Sequence, residues 1–169
     1  MLVFTDASHS TKPRMSGLGV VIINEGKEQT FGTYTQYCKD NNVAEIAAIK
    51  LACEYIEKNK LPHKTITIVS DSECALNRIS RGFQSEDSFE AECIDYIRDF
   101  AFRHGKVRFM QIKGHVHDGT KLAFYNNEAD IAAGEYRKMG LELEQTRMSK
   151  KKKKRFIVSA YQSWKNQRK

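Results

Sequence analysis

The stretch Leu2-Val3-Phe4-Thr5-Asp6 is a short apolar run that ends in an acid. A second stretch, Ile66-Thr67-Ile68-Val69-Ser70-Asp71, repeats this arrangement. Apolar and β-branched runs of this length predict buried strands, so each strand is expected to deliver a carboxylate at its end. Because an acid next to a core strand carries a desolvation cost, both positions need an explanation.

Two further acids, Glu45 and Asp130, lie inside alanine-rich segments with helical periodicity. Ionised carboxylates gathered at one point repel each other and are costly to bury, and a divalent cation removes both penalties. Mg²⁺ and Mn²⁺ prefer oxygen ligands such as carboxylates, waters and phosphates. Together with Asp6 and Asp71, these acids predict metal-assisted phosphodiester chemistry.

The composition limits the classes of protein to consider. A chain of 169 residues with 40% hydrophobic residues is large enough for one domain with a core. No apolar run reaches the roughly 18 residues of a membrane helix, and the pattern of a signal peptide is missing. The four cysteines form no C-x-x-C pair, which argues against a zinc knuckle and favours free thiols. We expect a monomeric cytoplasmic protein with no membrane partner, and a nuclear location stays open.

The net charge of +7 is concentrated at one end of the chain. Residues 147–169 hold ten basic residues and no acid, which leaves a net charge of −3 for residues 1–146. We therefore divide the chain into a domain of residues 1–146 and a basic C-terminal extension of residues 147–169. The extension supplies the attraction to polyanions.

Hydrophobic periodicity predicts an α/β fold. The first two strands are expected to form a hairpin with a long loop that contains Pro13 and Gly17, and Gly140 is expected to end the last helix. Three antiparallel strands followed by alternating helices and strands predict a mixed five-stranded sheet flanked by helices. The predicted strands are 2–6, 18–23, 28–37, 65–70 and 107–112, and the predicted helices are 41–59, 72–81, 88–103 and about 125–138.

This order, with the position of each acid in it, resembles the type 1 ribonuclease H family. The motifs cover about residues 1–139. The resemblance implies a ribonuclease H-like fold and an endonuclease that hydrolyses the RNA strand of RNA/DNA hybrids, leaving 5′-phosphate and 3′-hydroxyl ends. The matching segments are Val3-Phe4-Thr5-Asp6-Ala7-Ser8, Asn41-Asn42-Val43-Ala44-Glu45, Val69-Ser70-Asp71-Ser72, and Lys113-Gly114-His115 followed by Asn126-Asn127-Glu128-Ala129-Asp130.

The resemblance also implies roles for individual residues. Four acids would be catalytic ligands of two Mg²⁺ ions, for which Mn²⁺ can substitute. His115 corresponds to a histidine in a mobile loop that assists proton transfer or product departure. His117 is the alternative in the same loop. A third possibility is that neither loop histidine has a functional role. The implied metal ligands are Asp6, Glu45, Asp71 and Asp130.

Three asparagines are expected to bind substrate. Asn41 and Asn42 correspond to an amide pair that reads the 2′-hydroxyl groups of RNA, and Asn126 is the third predicted contact. The simpler interpretation of Asn41 is that it caps the first helix, and a capping residue can also contact substrate.

The basic extension is the second predicted contact with nucleic acid, through Lys151, Lys152 and Lys153. The spacing of its aromatic residues predicts a short helix. A disordered tail and a nuclear-targeting signal are the alternatives. The aromatic residues are Phe156, Tyr161 and Trp164.

The chain departs from the family pattern at several points. Ala7 stands where many members have glycine, and Cys38 and Asp40 stand where many have an arginine and a threonine. The segment between Arg81 and Ser88 is too short for the basic protrusion of some members. The sequence therefore indicates a compact form with a basic C-terminal extension.

Two other functions stay open on the sequence. Resolvase- and transposase-type DNA nucleases share this architecture and a similar acidic site. A nucleic-acid-binding module without activity is the non-enzymatic alternative.

Overall fold

The computed structural model describes residues 1–114 and 119–166, with side chains up to residue 150. Within these residues, no helix combines the length and the apolar character needed to span a membrane. The strands and helices are β1 (Leu2–Thr11), β2 (Arg14–Asn24), β3 (Lys27–Thr35), α1 (Asn41–Lys58), β4 (Ile66–Ser70), α2 (Glu73–Ser80), α3 (Ser88–His104), β5 (Val107–Gln111) and α4 (Lys121–Asn166).

The strands form one mixed sheet in the order β3-β2-β1-β4-β5. β1, β2 and β3 pair antiparallel, whereas β4 is parallel to β1 and β5 is parallel to β4. The predicted fold class, a five-stranded mixed sheet flanked by helices, is confirmed.

Both faces of the sheet are covered. Val3 points to the face on which α1 and α3 pack, where Ile46 and Phe100 are fully buried. Phe4 points to the opposite face, where it packs with Val69 and with the helix α4. Because successive side chains of a strand point to opposite faces, the neighbouring residues Val3 and Phe4 of β1 pack into two different hydrophobic cores. The three inner strands β1, β2 and β4 are therefore buried on both sides, whereas the edge strands β3 and β5 are more exposed.

The hairpin of β1 and β2 is longer than predicted, and the prediction of a long loop between the two strands is wrong. The antiparallel pairing continues to Thr11 and Arg14, so Lys12 and Pro13 alone form the turn. Polar side chains do not prevent this extension, because the pairing uses backbone groups. Asp6 therefore lies inside β1 and not at its end. The parallel pairing with β4 stops at Phe4, however, so Asp6 still lies beyond the parallel part of the sheet.

The last helix is also longer than predicted. α4 begins at Lys121 and continues to Asn166, so Gly140 does not end it. A Cβ atom at Gly140 would lie 2.7 Å from Met15 Sδ and 2.8 Å from the ring of Tyr34. This glycine therefore serves close packing rather than helix termination. The helix predicted for the extension is a continuation of α4, and the division into two parts at residue 146 stays a prediction.

Two glycines of β2 allow α4 to contact the sheet backbone to backbone. A Cβ atom at Gly17 would lie 1.9 Å from the carbonyl oxygen of Ala133, and one at Gly19 would lie 2.1 Å from that of Ala129. Any side chain here would push the helix away from the sheet. We call this contact of Gly17 and Gly19 with α4 the glycine seam. Because Ala129 precedes Asp130, the glycine seam also determines the distance of Asp130 from the sheet.

We expect Gly19→Ala to lower the free energy of unfolding by about 1–3 kcal/mol, because the added methyl group overpacks the seam. Gly134→Ala is the matched control, since Gly134 lies in α4 with open space around its Cβ position. That substitution should raise stability by up to about 1 kcal/mol through helix propensity. Urea unfolding of both variants checks the difference, and equal effects would contradict the close contact.

Candidate active site

Three of the four predicted acids converge at one edge of the sheet. Asp6 comes from β1, Glu45 from the second turn of α1, and Asp71 directly follows β4. One carboxylate oxygen of each lies within 4.8 Å of one from each of the others. Residues far apart in sequence therefore meet because β1 and β4 are neighbours and α1 crosses the sheet beside them.

Asp6 is only 6% exposed, and the backbone N–H of Ala7 donates a hydrogen bond of 2.7 Å to its Oδ1. Burial and the nearby charge of Asp71 raise the pKa of Asp6 to about 7, against the lowering effect of that hydrogen bond. Burial and the crowding of negative charge together therefore raise the affinity of the site for a proton.

Glu45 is even less accessible, with 4% of its surface exposed. The side-chain amide of Asn41 donates to its Oε1 at 3.3 Å, whereas its buried Oε2 has no hydrogen-bond partner among the described residues. The pKa of Glu45 lies well above its ordinary value. The main cause is burial, and the next largest is the charge of Asp6. A buried carboxylate oxygen without a partner is costly, so this atom requires a further ligand.

Asp71 is held at the tip of the turn between β4 and α2. The N–H of Ser72 donates to Ser70 Oγ at 3.1 Å, and Ser72 Oγ accepts from the first turn of α2. A Cβ atom at Gly114 would lie 2.4 Å from Asp71 Oδ2, so the segment after β5 touches this carboxylate. Any other residue at this position would have to displace the Asp71 carboxylate. The sequence motif contained Gly114, but no spacing rule indicated its contact with Asp71.

Asp130 lies on α4 and is half-buried. Its charge helps to raise the pKa of Asp6, after burial and Asp71, so it faces the same site. Among the described residues, the group whose oxygens all lie within 4.8 Å comprises the other three acids and not Asp130. Asp130 is therefore placed at the margin of the cluster.

The predicted substrate contacts have different surroundings. Asn41 is exposed and Asn42 half-buried in the first turn of α1. The helix cap is Asp40, whose Oδ1 accepts from the N–H of Val43 at 2.9 Å, so the capping role considered for Asn41 is wrong. Both asparagines are thus free of that role.

Asn126 lies one helical turn before Asp130 and is 5% exposed. Its Oδ1 is buried without a hydrogen-bond partner among the residues that the structure describes. His115 and His117 lie outside the described residues, as do the side chains of Lys151, Lys152 and Lys153. The predictions for these five residues stay predictions.

A buried network that the sequence did not indicate supports the start of α1. Glu90 of α3 is fully buried and accepts from Ser85 Oγ at 2.6 Å, from Lys39 Nζ at 3.0 Å and from Arg78. Burial raises the pKa of Glu90, but these hydrogen bonds outweigh it and leave the pKa below its ordinary value. Because Lys39 precedes the helix cap Asp40, the network holds the segment that positions Asn41 and Glu45.

The acidic cluster fits a divalent cation. It provides several carboxylates, an unpartnered buried oxygen on Glu45 and raised pKa values on two acids, and each of these features is relieved by a hard cation. Among the residues that the structure describes, the cluster contains no sulfur or imidazole ligand, which favours Mg²⁺ or Mn²⁺ over softer metals.

Comparison with known proteins agrees with this geometry. A family model described as RNase H matches residues 1–138. This chain belongs to the RNase H family. The resemblance to type 1 ribonucleases H is thereby confirmed, and RNase H membership supports a nuclease of the hydrolase class. A search of curated proteins gave no match.

Solved structures with the RNase H fold match most of the chain. LC11-RNase H1, isolated from compost by a metagenomic approach, has a TM-score of 0.65 and 23% identity, over 83% of this chain and 96% of that one. The same protein in complex with an RNA/DNA hybrid gives a TM-score of 0.62 and 22% identity, over 83% and 98%. The protease-reverse transcriptase of prototype foamy virus gives 0.67 and 20%, over 80% of this chain and 20% of the longer one. At these identities the likeness shows the fold.

The raised pKa of Asp6 predicts how the stability of this RNase H family member changes with pH. The Asp6 carboxyl holds its proton more tightly in the folded protein than in the unfolded chain, where the pKa of this group is 3.8. This contribution to stability is therefore complete below about pH 4 and is lost as the pH rises to about 7, at a cost of at most about 4 kcal/mol. We expect the metal-free protein to melt at lower temperature at pH 8 than at pH 5.

Asp6→Asn should reduce this dependence on pH, because the amide carries no charge. Asp95→Asn, at an exposed acid of α3, is the matched control and should leave it unchanged. Thermal unfolding in a chelator, with and without added Mg²⁺, measures the effect. Equal slopes for all three proteins would contradict the buried, crowded position of Asp6.

Proposed function

We propose that this protein hydrolyses the RNA strand of RNA/DNA hybrids in a metal-dependent reaction. The observation that carries the proposal is the convergence of Asp6, Glu45 and Asp71 in a chain of the RNase H family. The hybrid bound to LC11-RNase H1, which shares this fold, supports the choice of substrate.

The proposed cofactor is Mg²⁺, as two ions for which Mn²⁺ can substitute. Asp6, Glu45 and Asp71 would hold the metal, with Asp130 at the margin of the site. Bound ions would supply activation of a water and stabilisation of the leaving oxygen of a phosphodiester, which would give the proposed 5′-phosphate and 3′-hydroxyl ends.

The protein's own contribution is to position the carboxylates. The N–H of Ala7 fixes one oxygen of Asp6, and the amide of Asn41 fixes one oxygen of Glu45. The buried Oε2 of Glu45 is left for a ligand. Gly114 allows the chain to pass against Asp71 without displacing it.

Recognition of RNA is proposed to lie at the start of α1. Asn42, and Asn41 once Glu45 is engaged by metal, can donate to and accept from a 2′-hydroxyl across the wide minor groove of an A-like duplex. The free N–H groups of the first helical turn favour a nearby phosphate. The position of this turn next to Glu45 supports reading of the RNA strand beside the bond that is cut.

His115 is proposed to assist proton transfer or departure of the product. It follows Gly114, which lies against Asp71, so its place in the chain supports a position near the acids. An imidazole with an ordinary pKa near 6.5 can serve in either role at neutral pH.

We expect Asp71→Asn to reduce cleavage of a labelled RNA/DNA hybrid by at least about a hundredfold. The loss of one ligand charge should remove several kcal/mol of transition-state stabilisation. Glu73→Gln, at an exposed acid two residues further along, is the matched control and should cleave at the normal rate. The assay follows RNA fragments at fixed Mg²⁺.

The same assay separates the competing functions. Matched RNA/DNA, double-stranded RNA, double-stranded DNA and branched DNA are compared, and cutting is expected for the hybrid. Preferred cutting of branched DNA would favour a resolvase-type nuclease. Binding of the hybrid without cleavage in any divalent metal would favour a non-catalytic module. Full activity of Asp71→Asn would overturn the assignment of the metal site.

The basic part of α4 is proposed to add affinity without sequence preference. Residues 1–146 have a net charge of −3, so the domain alone has little general attraction for a polyanion. Lys150 to Arg155 provide six consecutive positive charges on a helix that continues from the domain. Contacts of this kind neutralise phosphates and weaken with salt.

We expect a version ending at Gln145 to bind the hybrid more weakly and with a smaller salt dependence. Each lost phosphate contact should reduce the slope of log affinity against log salt by about 0.9. Changing Lys151, Lys152 and Lys153 to Gln in the full-length chain is the control that keeps the helix length. Fluorescence anisotropy in the Asp71→Asn background measures binding without cutting, and unchanged slopes in both proteins would refute a role for the extension.

A further inference from the structure

Two histidines meet at the end of the sheet opposite the acidic cluster. His63 lies between α1 and β4, and His104 is the last residue of α3. His63 Nε2 and His104 Nδ1 are 2.9 Å apart, with ring centroids 4.8 Å apart and ring planes inclined at 51°. Because His63 precedes β4 and Asp71 follows it, the length of that strand separates the pair from the acids.

In each ring one nitrogen faces the other histidine (the inner nitrogen) and one faces away (the outer nitrogen). Both outer nitrogens, His63 Nδ1 and His104 Nε2, already have a partner. His63 Nδ1 lies 2.8 Å from the carbonyl oxygen of Leu61, which can only accept, so Nδ1 carries the hydrogen. His104 Nε2 lies 3.4 Å from Glu57 Oε1. Glu57 also accepts from Tyr96 Oη at 2.6 Å and from Arg103, so its carboxylate acts as an acceptor toward His104 Nε2. His104 Nε2 therefore also carries a hydrogen.

These contacts determine what the inner nitrogens can do. A neutral imidazole has one N–H group, and in both rings this group is the outer nitrogen, which donates to a group outside the pair. The inner nitrogens then present two lone pairs to each other at 2.9 Å. Two unprotonated nitrogens at this distance repel each other, so the arrangement calls either for a proton shared on the line between them or for a metal ion bound to one side of that line.

We propose that His63 and His104 form a binding site for a divalent transition-metal ion of the nickel and zinc class. Imidazole nitrogen is the ligand that these ions favour. Two nitrogens bound cis to one ion at about 2.0–2.1 Å lie roughly 2.9–3.4 Å apart, which includes the observed spacing. Histidine ligands typically donate their other N–H to a carboxylate or a backbone carbonyl, as both rings do here.

The surroundings leave room for the remaining ligands. The pair lines an open groove of about 600 Å³ together with Glu57, Lys60 and Arg103, so water can complete the coordination. Arg103 is engaged by Glu57 and by Asp99, at 2.8 Å from the latter, which limits its repulsion of a cation. The charge of Lys60 opposes the ion. An ion bound here would tie the segment after α1 to the end of α3.

Calorimetric titration of the full-length protein with Ni²⁺ tests the site. All proteins carry Asp71→Asn, which weakens binding at the acidic cluster. His63→Gln and His104→Gln should each lower the affinity for Ni²⁺ at least about tenfold, and Glu57→Gln by about 10–100-fold. Lys60→Gln should raise it. His9→Gln is the single-histidine control, because His9 lies on β1 against Ser16, and it should leave the affinity unchanged.

A measurement without substitutions keeps the test independent of any folding defect. Nitrogen-15 spectra of the histidine side chains in the full-length protein, recorded with and without Zn²⁺, should show shifts at His63 Nε2 and His104 Nδ1. The competing occupant is a single shared proton. An inner N–H signal that persists in excess Zn²⁺, or a Ni²⁺ affinity that neither histidine variant changes, would overturn the proposal.

Discussion

The burial of several carboxylates at one edge of the sheet is the constraint on which the rest of the structure depends. Asp6 and Glu45 are almost inaccessible, and Asp71 lies within 4.8 Å of both. Such a group is unfavourable without a cation, so other parts of the fold must hold it together. The apolar core on both faces of the sheet provides this stability, while local hydrogen bonds only direct individual oxygens. The site is therefore least stable when empty, and binding of a cation relieves the repulsion that folding creates.

Two supports on opposite faces keep the acids in place. On one face the glycine seam lets α4 approach β2 closely, with Gly19 against Ala129, and this brings Asp130 to the site. On the other face the buried Glu90 binds Lys39, next to the cap of α1, and so fixes the turn that carries Glu45. Neither support contacts substrate in the proposed reaction. Both act by limiting how far the carboxylates can move apart, which sets the geometry available to a metal.

Much of this arrangement follows from local sequence patterns, and the remainder depends on contacts between distant residues. The apolar runs and the period of α1 predicted which strands and helix carry Asp6, Glu45 and Asp71, although Asp6 lies inside β1 and not at its end. Gly140 resembled a helix end, since only the opposing Met15 and Tyr34 reveal that it serves packing. Likewise, the pairing of polar residues up to Thr11 depends on the backbone of β2, and side-chain hydrophobicity carries no signal for it.

The helix α1 also explains why the two proposed metal sites should act independently. Glu45 lies near its start and Glu57 near its end, about 18 Å apart along the helix axis. The start is held by Asp40 and by the network around Glu90, whereas the end contacts His104 and Arg103 of α3. A well-packed helix transmits little displacement between ends that are anchored separately. An ion at the histidine pair should therefore change the stability of the α1–α3 contact and leave the spacing of Asp6, Glu45 and Asp71 as it is.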